Sequence, residues 1–480
     1  MNTSYRSNSN RLHRFLFSGS ALVVAAMLAA CGGAGNKDDN QASTSDKNSC
    51  PVEVLKKTTK PIEVTFWHGM ADVNEETLKA MVNDYNASQS KVKVTLQLQG
   101  TYDDVAKKYL ATLREGNPPE IVQVNEPYLR SMIDSKSVIP IQVCLDADNY
   151  ETDDYLAIPL AQNTVDQKLW AMPFNVSVPV LYFNATAFKK AGLDPATPPT
   201  NFEELRAASE KLVSSGAARS GVAFELKPAY LEQWSAMAGV SMVDHANGRD
   251  GLATKATFDN KTGLGIYQFI DQMLDDKLAI SVGRNRAGFD HLLALAKGDA
   301  AMTFGTSAAL GSVLNVLASG QFPDVEAAVG SMPIPGTGKP ASNGGVLIGG
   351  GSLYIVDKGT TPEQRAGSWD FTKWLNEPAQ QARLHVATGY VPLRTSSVSL
   401  PEVVEAWKKT PQLRVAYESL LASKATNGGP VIGSFFDVHD AIVASLERMT
   451  LEGEDPSKAL SKANADATKV IEDYNKRMGN

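Results

Sequence analysis

Between positions 62 and 67, Ile62, Val64 and Phe66 alternate with Glu63, Thr65 and Trp67, the period of two that a half-buried strand requires. The period changes at 75–85, where Leu78, Met81, Val82 and Tyr85 share one face of a helix. Positions 92–98 return to the strand period. A second helix is predicted over 102–115, closed by Gly116, and 120–124 form an apolar strand behind Pro118 and Pro119. Strands alternating with helices predict an α/β fold built on a mostly parallel sheet covered on both faces, with ligands beyond the carboxyl ends of the strands. Further along, helices are expected at 362–376, with Ala366, Trp369, Phe371 and Leu375 turned to a core, at 442–449, and at 458–477.

The first residues follow a different pattern. Arg6, Arg11 and Arg14 precede a mostly apolar stretch, 15–28, that runs into Leu28-Ala29-Ala30-Cys31. The stretch is shorter than the roughly 20 residues a membrane-spanning helix needs, and Ser18 and Ser20 interrupt it. The tetrapeptide resembles the lipobox of bacterial lipoproteins, which implies a signal peptide over 1–30 and a lipid on Cys31. Gly32 in the next place carries no inner-membrane retention signal of the aspartate type. The tether over 31–60 opens with Gly, Asn, Asp, Ser and Lys and almost nothing to pack. The expected location is the periplasm or cell envelope, with the body lipid-anchored to a membrane.

At 43% hydrophobic and 21% charged residues the chain reads as globular, and its 480 residues are too many for one core, so two domains are expected. A formal charge of −7 without a basic tract argues against nucleic acid. With Cys31 lipidated, Cys50 and Cys144 would remain in an oxidising compartment, which predicts a disulfide between them; two unrelated thiols are the alternative.

Several segments, taken in order, carry a resemblance. They are Phe66-Trp67-His68-Gly69-Met70, Gln123-Val124-Asn125-Glu126, the run from Met172-Pro173-Phe174-Asn175 to Tyr182-Phe183-Asn184, and Phe188-Lys189-Lys190-Ala191-Gly192-Leu193. Gly298-Asp299-Ala300-Ala301-Met302-Thr303, Gly349-Gly350-Gly351-Ser352-Leu353 and Thr388-Gly389-Tyr390-Val391-Pro392-Leu393 follow. Together they resemble the family 1 extracellular solute-binding proteins of ABC importers, the family of maltose-binding protein, and within it the glycerol-3-phosphate-binding branch, over nearly the whole chain after Pro61. The resemblance implies a two-lobed periplasmic-binding-protein fold of type II, the lobes joined by a hinge. Lobe one would comprise 61–173 plus 304–354 and lobe two 174–303 plus 355–480, with crossings near 174–182, 301–306 and 350–355. A ligand on facing strand ends would then select the closed form.

Matching that branch residue by residue implies that Tyr102 and Glu126 hold adjacent hydroxyls of a polyol, a carboxylate being a strong acceptor for them. Ser177, Thr306 or Ser307, Gly350 and Tyr390 match positions around a phosphate, where small hydroxyls and bare glycine N–H groups suit an oxyanion. An arginine that the family places on the phosphate falls at or near His439, which supplies far less charge. Arg284, Arg286 and Arg394 are the candidates to compensate. The family's tryptophans before Ala236 are unmatched in register, leaving Phe224, Tyr230 and Trp234, with Trp67 and Trp170, as candidate aromatic walls whose alternative role is core.

The expected function is substrate binding for an ABC importer, the solute being a sugar, polyol or glycerol-3-phosphate-like molecule, with glycerol 3-phosphate or a glycerophosphodiester favoured. A neutral mono- or oligosaccharide is the alternative. A cell-envelope glycoside hydrolase is more remote: Asp103, Asp104, Glu126 and Asp437 could be drawn as acid and base, but such residues are usually solvated helix faces. Six scattered histidines form no His-Glu-x-x-His pair, and there is no P-loop or Gly-x-Ser-x-Gly elbow, so no enzyme, metal or cofactor is expected. A surface scaffold would need repeats or long low-complexity stalks that are missing. The partners expected are a small hydroxylated solute and the permease subunits; one ligand and one hinge imply a monomer.

Overall fold

Two five-stranded sheets carry the chain, each with four strands running one way and one against them. The computed structural model describes residues 49–284, 288–336, 341–424 and 428–479; the signal peptide expected over 1–30, Cys31, the expected tether as far as residue 48, and Arg286 lie outside the described residues, while the rest of the expected tether holds a short 3-10 helix, Val52–Lys56. In the first sheet β1 (Ile62–His68) pairs in parallel with β2 (Val92–Leu98) and β3 (Ile121–Val124). A small hairpin, β4 (Thr164–Val165) and β5 (Lys168–Leu169), leads into β6 (Met172–Ser177) at the edge, and β12 (Gly349–Ile355) runs antiparallel between β3 and β6. The second sheet orders β11 (Ala327–Ser331), β7 (Pro179–Asn184), β10 (Ala300–Thr306), β8 (Ser220–Phe224) and β9 (Ala279–Ser281), with β7 the reversed strand.

The alternation along β1 sorts side chains as the pattern requires. Ile62, Val64 and Phe66 face Leu78, Met81, Val82 and Tyr85 of α1 (Asp72–Ser88), while the other face, with Val122 and Val124, packs on Val105, Ala106 and Tyr109 of α2 (Tyr102–Glu115). α2 starts where it must: the Thr101 hydroxyl accepts from the Asp104 N–H, and the Asp104 carboxylate accepts from the Thr101 N–H at 2.9 Å. It ends at Gly116 in the left-handed region. This exact start matters, because it puts Tyr102 at the first helical position, beside the carboxyl ends of the first sheet's strands.

Parts of the chain lie elsewhere than the sequence division put them: Phe174–Ser177, expected in lobe two, completes β6 of the first sheet, and Phe304–Thr306, expected in lobe one, completes β10 of the second. Ala327–Ser331, within the 304–354 piece expected in lobe one, fills the open edge of β7 in the second sheet, Ala327 opposite Asn184. Within the 355–480 piece expected in lobe two, the helix Pro362–Leu375 packs on the first sheet, its Phe371 ring 6.1 Å from that of Phe66. Amphipathic periodicity identifies a buried face without saying which sheet covers it.

The chain passes between the sheets at Val178, the single residue separating β6 from β7. Ser307, just after β10, staples this passage: its N–H donates to the Val178 carbonyl at 2.9 Å and its hydroxyl accepts from the Val178 N–H at 3.3 Å. Cys50 and Cys144 are joined in a disulfide, Cα atoms 5.2 Å apart, tying the start of the described chain to the first-sheet side.

Candidate functional site

The site grows from three consecutive glycines at the start of β12. Gly350 has φ +99°, and a Cβ there would stand 1.9 Å from the Asn175 carbonyl oxygen on β6, so only glycine lets the two strands approach. At Gly351 a Cβ would stand 3.1 Å from the Tyr102 ring, and at Gly349 3.4 Å from the Ser177 hydroxyl. The glycines thus form a side-chain-free strip of backbone with Tyr102 at one end and Ser177 at the other.

Around Tyr102 the polar groups interlock. Gly69 N–H donates to Gln123 Oε1 at 3.1 Å, Gln123 Nε2 to Asn175 Oδ1 at 2.7 Å, and Asn175 Nδ2 to the Tyr102 hydroxyl at 2.7 Å. The Tyr390 hydroxyl lies beside Asn175 and Tyr102, and Asn74 Nδ2 reaches it at 3.5 Å. Burial, first, pushes both phenols above their ordinary range, so both stay neutral donors. Glu126 opens a short turn one residue after β3, and its Oε1 is enclosed without a partner among the described residues. Burial raises its carboxyl to about 8, despite one bond from its own backbone N–H acting the other way. Tyr390 is set by its neighbours: Gly389, φ +92°, ends the helix Pro378–Thr388, the Tyr390 N–H donates to Thr388 Oγ1 at 3.1 Å, and its carbonyl lies 2.7 Å from His385 Nδ1. Because the Trp407 indole donates to His385 Nε2 at 2.7 Å, the proton of this histidine belongs on Nδ1 and points at that carbonyl.

Beyond Ser177 a cavity of about 170 Å³ opens between the sheets. Val178, Pro179, Tyr230, Phe304 and Met332 give it an apolar wall, and Ser177, Thr306, Gln233, Lys227 and the Gly349 backbone its polar groups. Ser177 is 4% exposed, yet its hydroxyl finds no hydrogen-bond partner among the described residues. A separate groove walled by Phe289, Leu293, Val316, Phe322 and other apolar side chains offers almost nothing polar to orient a solute.

Of the residues singled out from the sequence, the structure brings together Tyr102, Glu126, Gly350 and Tyr390 at one end, and Ser177, Thr306 and Tyr230 at the other. Four do not join them. Trp234 is fully buried, its indole donating to the Pro333 carbonyl at 3.0 Å; it supports Tyr230, whose ring stacks on it at 5.3 Å, instead of facing the cavity. The Trp67 indole donates to Gln97 at 2.7 Å, Ser307 is spent on Val178, and His439 pairs with Glu232 at 2.7 Å with Phe435 at 4.0 Å. Nor do the two described arginines compensate: Arg284 is held by both oxygens of Glu447, and Arg394 by Asp154 and the Tyr150 hydroxyl. Sequence reasoning missed Gln123, Asn175 and Lys227 as parts of the site. The first two carry a signal, being amides inside mostly apolar strands. Lys227 lies just past the carboxyl end of β8, where ligands on such sheets sit.

Among the described residues no group of three or more His, Cys, Asp or Glu side chains is placed to hold a metal, and no helix is long and apolar enough to cross a membrane. The sn-glycerol-3-phosphate-binding periplasmic protein UgpB of Yersinia pestis is 29% identical over 408 residues, 84% of this chain and 90% of its own length. The Escherichia coli O1:K1 protein of the same name is 28% identical over 407 residues, covering 83% and 90%. Among solved structures, UgpB of Mycobacterium tuberculosis in complex with glycerophosphocholine has a TM-score of 0.72 at 20% identity, covering 86% of this chain and 99% of that one. The cyclic alpha-maltosyl-1,6-maltose binding protein of Arthrobacter globiformis has 0.70 at 21%, covering 86% and 100%. These likenesses establish the fold, a type II periplasmic-binding-protein architecture. The sequence profile of the bacterial extracellular solute-binding proteins matches residues 80–414, most of the chain, and the chain belongs to that family, whose members capture solutes for ABC importers.

Proposed function

We propose that this protein captures glycerol 3-phosphate or a glycerophosphodiester for its importer, held at the membrane by a lipid on Cys31 and working as a monomer. One observation carries the choice of solute. The Gly349–Gly351 strip separates a cluster suited to hydroxyls, Tyr102, Asn175 and Glu126, from one suited to an oxyanion, the unpartnered Ser177 hydroxyl and Thr306. A glycerol phosphate has the same two ends. A carboxylate, an amide and a neutral phenol accept from and donate to vicinal hydroxyls, while a bare backbone admits a phosphate without steric conflict. The UgpB relatives' names support the same choice. In this reading the importer senses closure of the two lobes on the solute, and no bond in the solute changes.

A neutral sugar is the second reading, favoured by the apolar wall of Val178, Phe304, Met332 and Tyr230, which suits a pyranose face. Thermal unfolding of the body from Ser49 onward separates the two. A ligand at 100 times its Kd adds about 2.7 kcal/mol, a shift of several degrees. Glycerol 3-phosphate and glycerophosphocholine are expected to produce it, and glucose, maltose and trehalose are not. The reverse pattern would replace this reading with the neutral-sugar one.

A further inference from the structure

We infer that Lys227 supplies the positive charge of the solute site and so makes the protein select an anionic solute; the inference rests on the glycerol-phosphate reading and names its charge partner. Lys227 is the cationic residue in the wall of the cavity that also holds Ser177, Thr306 and the Gly349 backbone. Among the described residues, the other candidate cations, His439, Arg284 and Arg394, do not line this cavity and pair with Glu232, Glu447 and Asp154, whereas Lys227, itself paired with Glu225, does line it. Lys227 reaches the cavity from the second-sheet side, opposite the first-sheet residue Ser177, so its ammonium closes on a solute already seated against the glycine strip.

Its own support explains why it points there. Glu225, at the end of β8, is 4% exposed and pairs with Lys227 from beneath, while the lysine side chain keeps 42% exposure. The other carboxyl oxygen of Glu225 lies 3.5 Å from His291 Nδ1, and the Glu225 N–H donates to the Tyr230 hydroxyl at 3.3 Å. An ammonium has three donors. The carboxylate below takes one and fixes the stem, leaving others for phosphate oxygens. A lysine here acts as a point charge and not as a planar fork, so it favours a terminal phosphate without demanding one orientation. Tyr230, packed on the same segment, gives the cavity its aromatic side, and its position depends on the Trp234 stack beneath.

The test compares wild-type protein with Lys227→Gln and Lys227→Arg by calorimetric titration of glycerol 3-phosphate at two salt concentrations, with melting temperature of the unliganded proteins alongside. Lys227→Gln is expected to weaken glycerol 3-phosphate at least tenfold and to flatten the salt dependence, and Lys227→Arg to restore most of both. Equal affinity and equal salt dependence in wild type and Lys227→Gln would overturn the inference while leaving the glycerol-phosphate reading intact. Wild type that binds a neutral sugar and no phosphorylated glycerol would overturn that reading, and the inference with it. Should Lys227→Gln melt much lower because Glu225 loses one of its partners, the affinity of Lys227→Arg and the salt slope of wild type decide: a salt-independent wild-type affinity overturns the proposal.

Discussion

At the scale of single residues, Glu126 is where protonation and the proposed binding meet. Burial holds its carboxyl at about 8, above the value of an unfolded chain, so the folded protein binds a proton there that the unfolded chain releases. The stability this group contributes is complete below the ordinary carboxylate range and is lost as pH rises through about 8. A polyol hydroxyl donating to the group favours its ionised form, so binding near pH 7.5, where a phosphate ester is already fully ionised, is expected to release a proton. Titration calorimetry in two buffers of different ionisation enthalpy measures that release directly. Glu126→Gln should abolish it, weaken binding about tenfold, and flatten the loss of apo stability between the carboxyl range and about pH 8. A release that survives in Glu126→Gln would place the proton on another group. Only the identity of Glu126 was legible in the sequence. Its enclosed Oε1 follows from packing by residues far away in the chain, which no local pattern shows.

At the scale of elements, local patterns were read well where local physics decides them. The helix expected at 102–115 is Tyr102–Glu115, because a capping box and a left-handed glycine both sit in the sequence; the helix expected at 442–449 extends to Phe435–Glu452, having no such stop inside it. The glycine strip shows the limit. Three glycines in a row predict a close approach of some kind, but not that Asn175 would be the neighbour, since β6 lies more than 170 positions away in sequence. Gly350→Ala tests the approach. The left-handed backbone and the contact with the Asn175 carbonyl together should cost about 2–3 kcal/mol, read as a lower denaturant midpoint at unchanged m-value. Binding should fall further than stability alone explains, because the strip also sets the Ser177-to-Tyr102 spacing. Wild-type affinity in a destabilised Gly350→Ala would mean that the strip serves packing and not the solute.

For the whole molecule, the order of motifs made the two-lobed fold legible, yet the contacts that hold one body against the other were not. Arg249 illustrates them. From the second-sheet side its guanidinium donates to the carbonyls of Ala161, Gln162 and Thr164, all within 3.2 Å, in the segment leading to β6, and to the Gly429 carbonyl at 3.0 Å. Burial lowers its pKa to about 10, which still leaves it charged at any working pH. Tyr474 donates to Asp134, and the Ser131 hydroxyl to the Gly433 carbonyl, on the same side. None of these residues lines the cavity beside Ser177. Contacts of this kind are expected to bias how far the two bodies come together, and apparent affinity scales with the fraction of molecules in the binding-competent arrangement. Arg249→Met keeps much of the stem's volume and removes four donated bonds. It is expected to raise the solute Kd about tenfold with the cavity untouched, and to enlarge the radius of gyration of the unliganded protein in small-angle scattering. Added solute should shrink it back, since binding energy can restore a closure that the protein alone no longer favours. A lower melting temperature with unchanged affinity and unchanged radius would instead assign Arg249 to the stability of its own segment, and leave closure to the crossing at Val178 and Ser307.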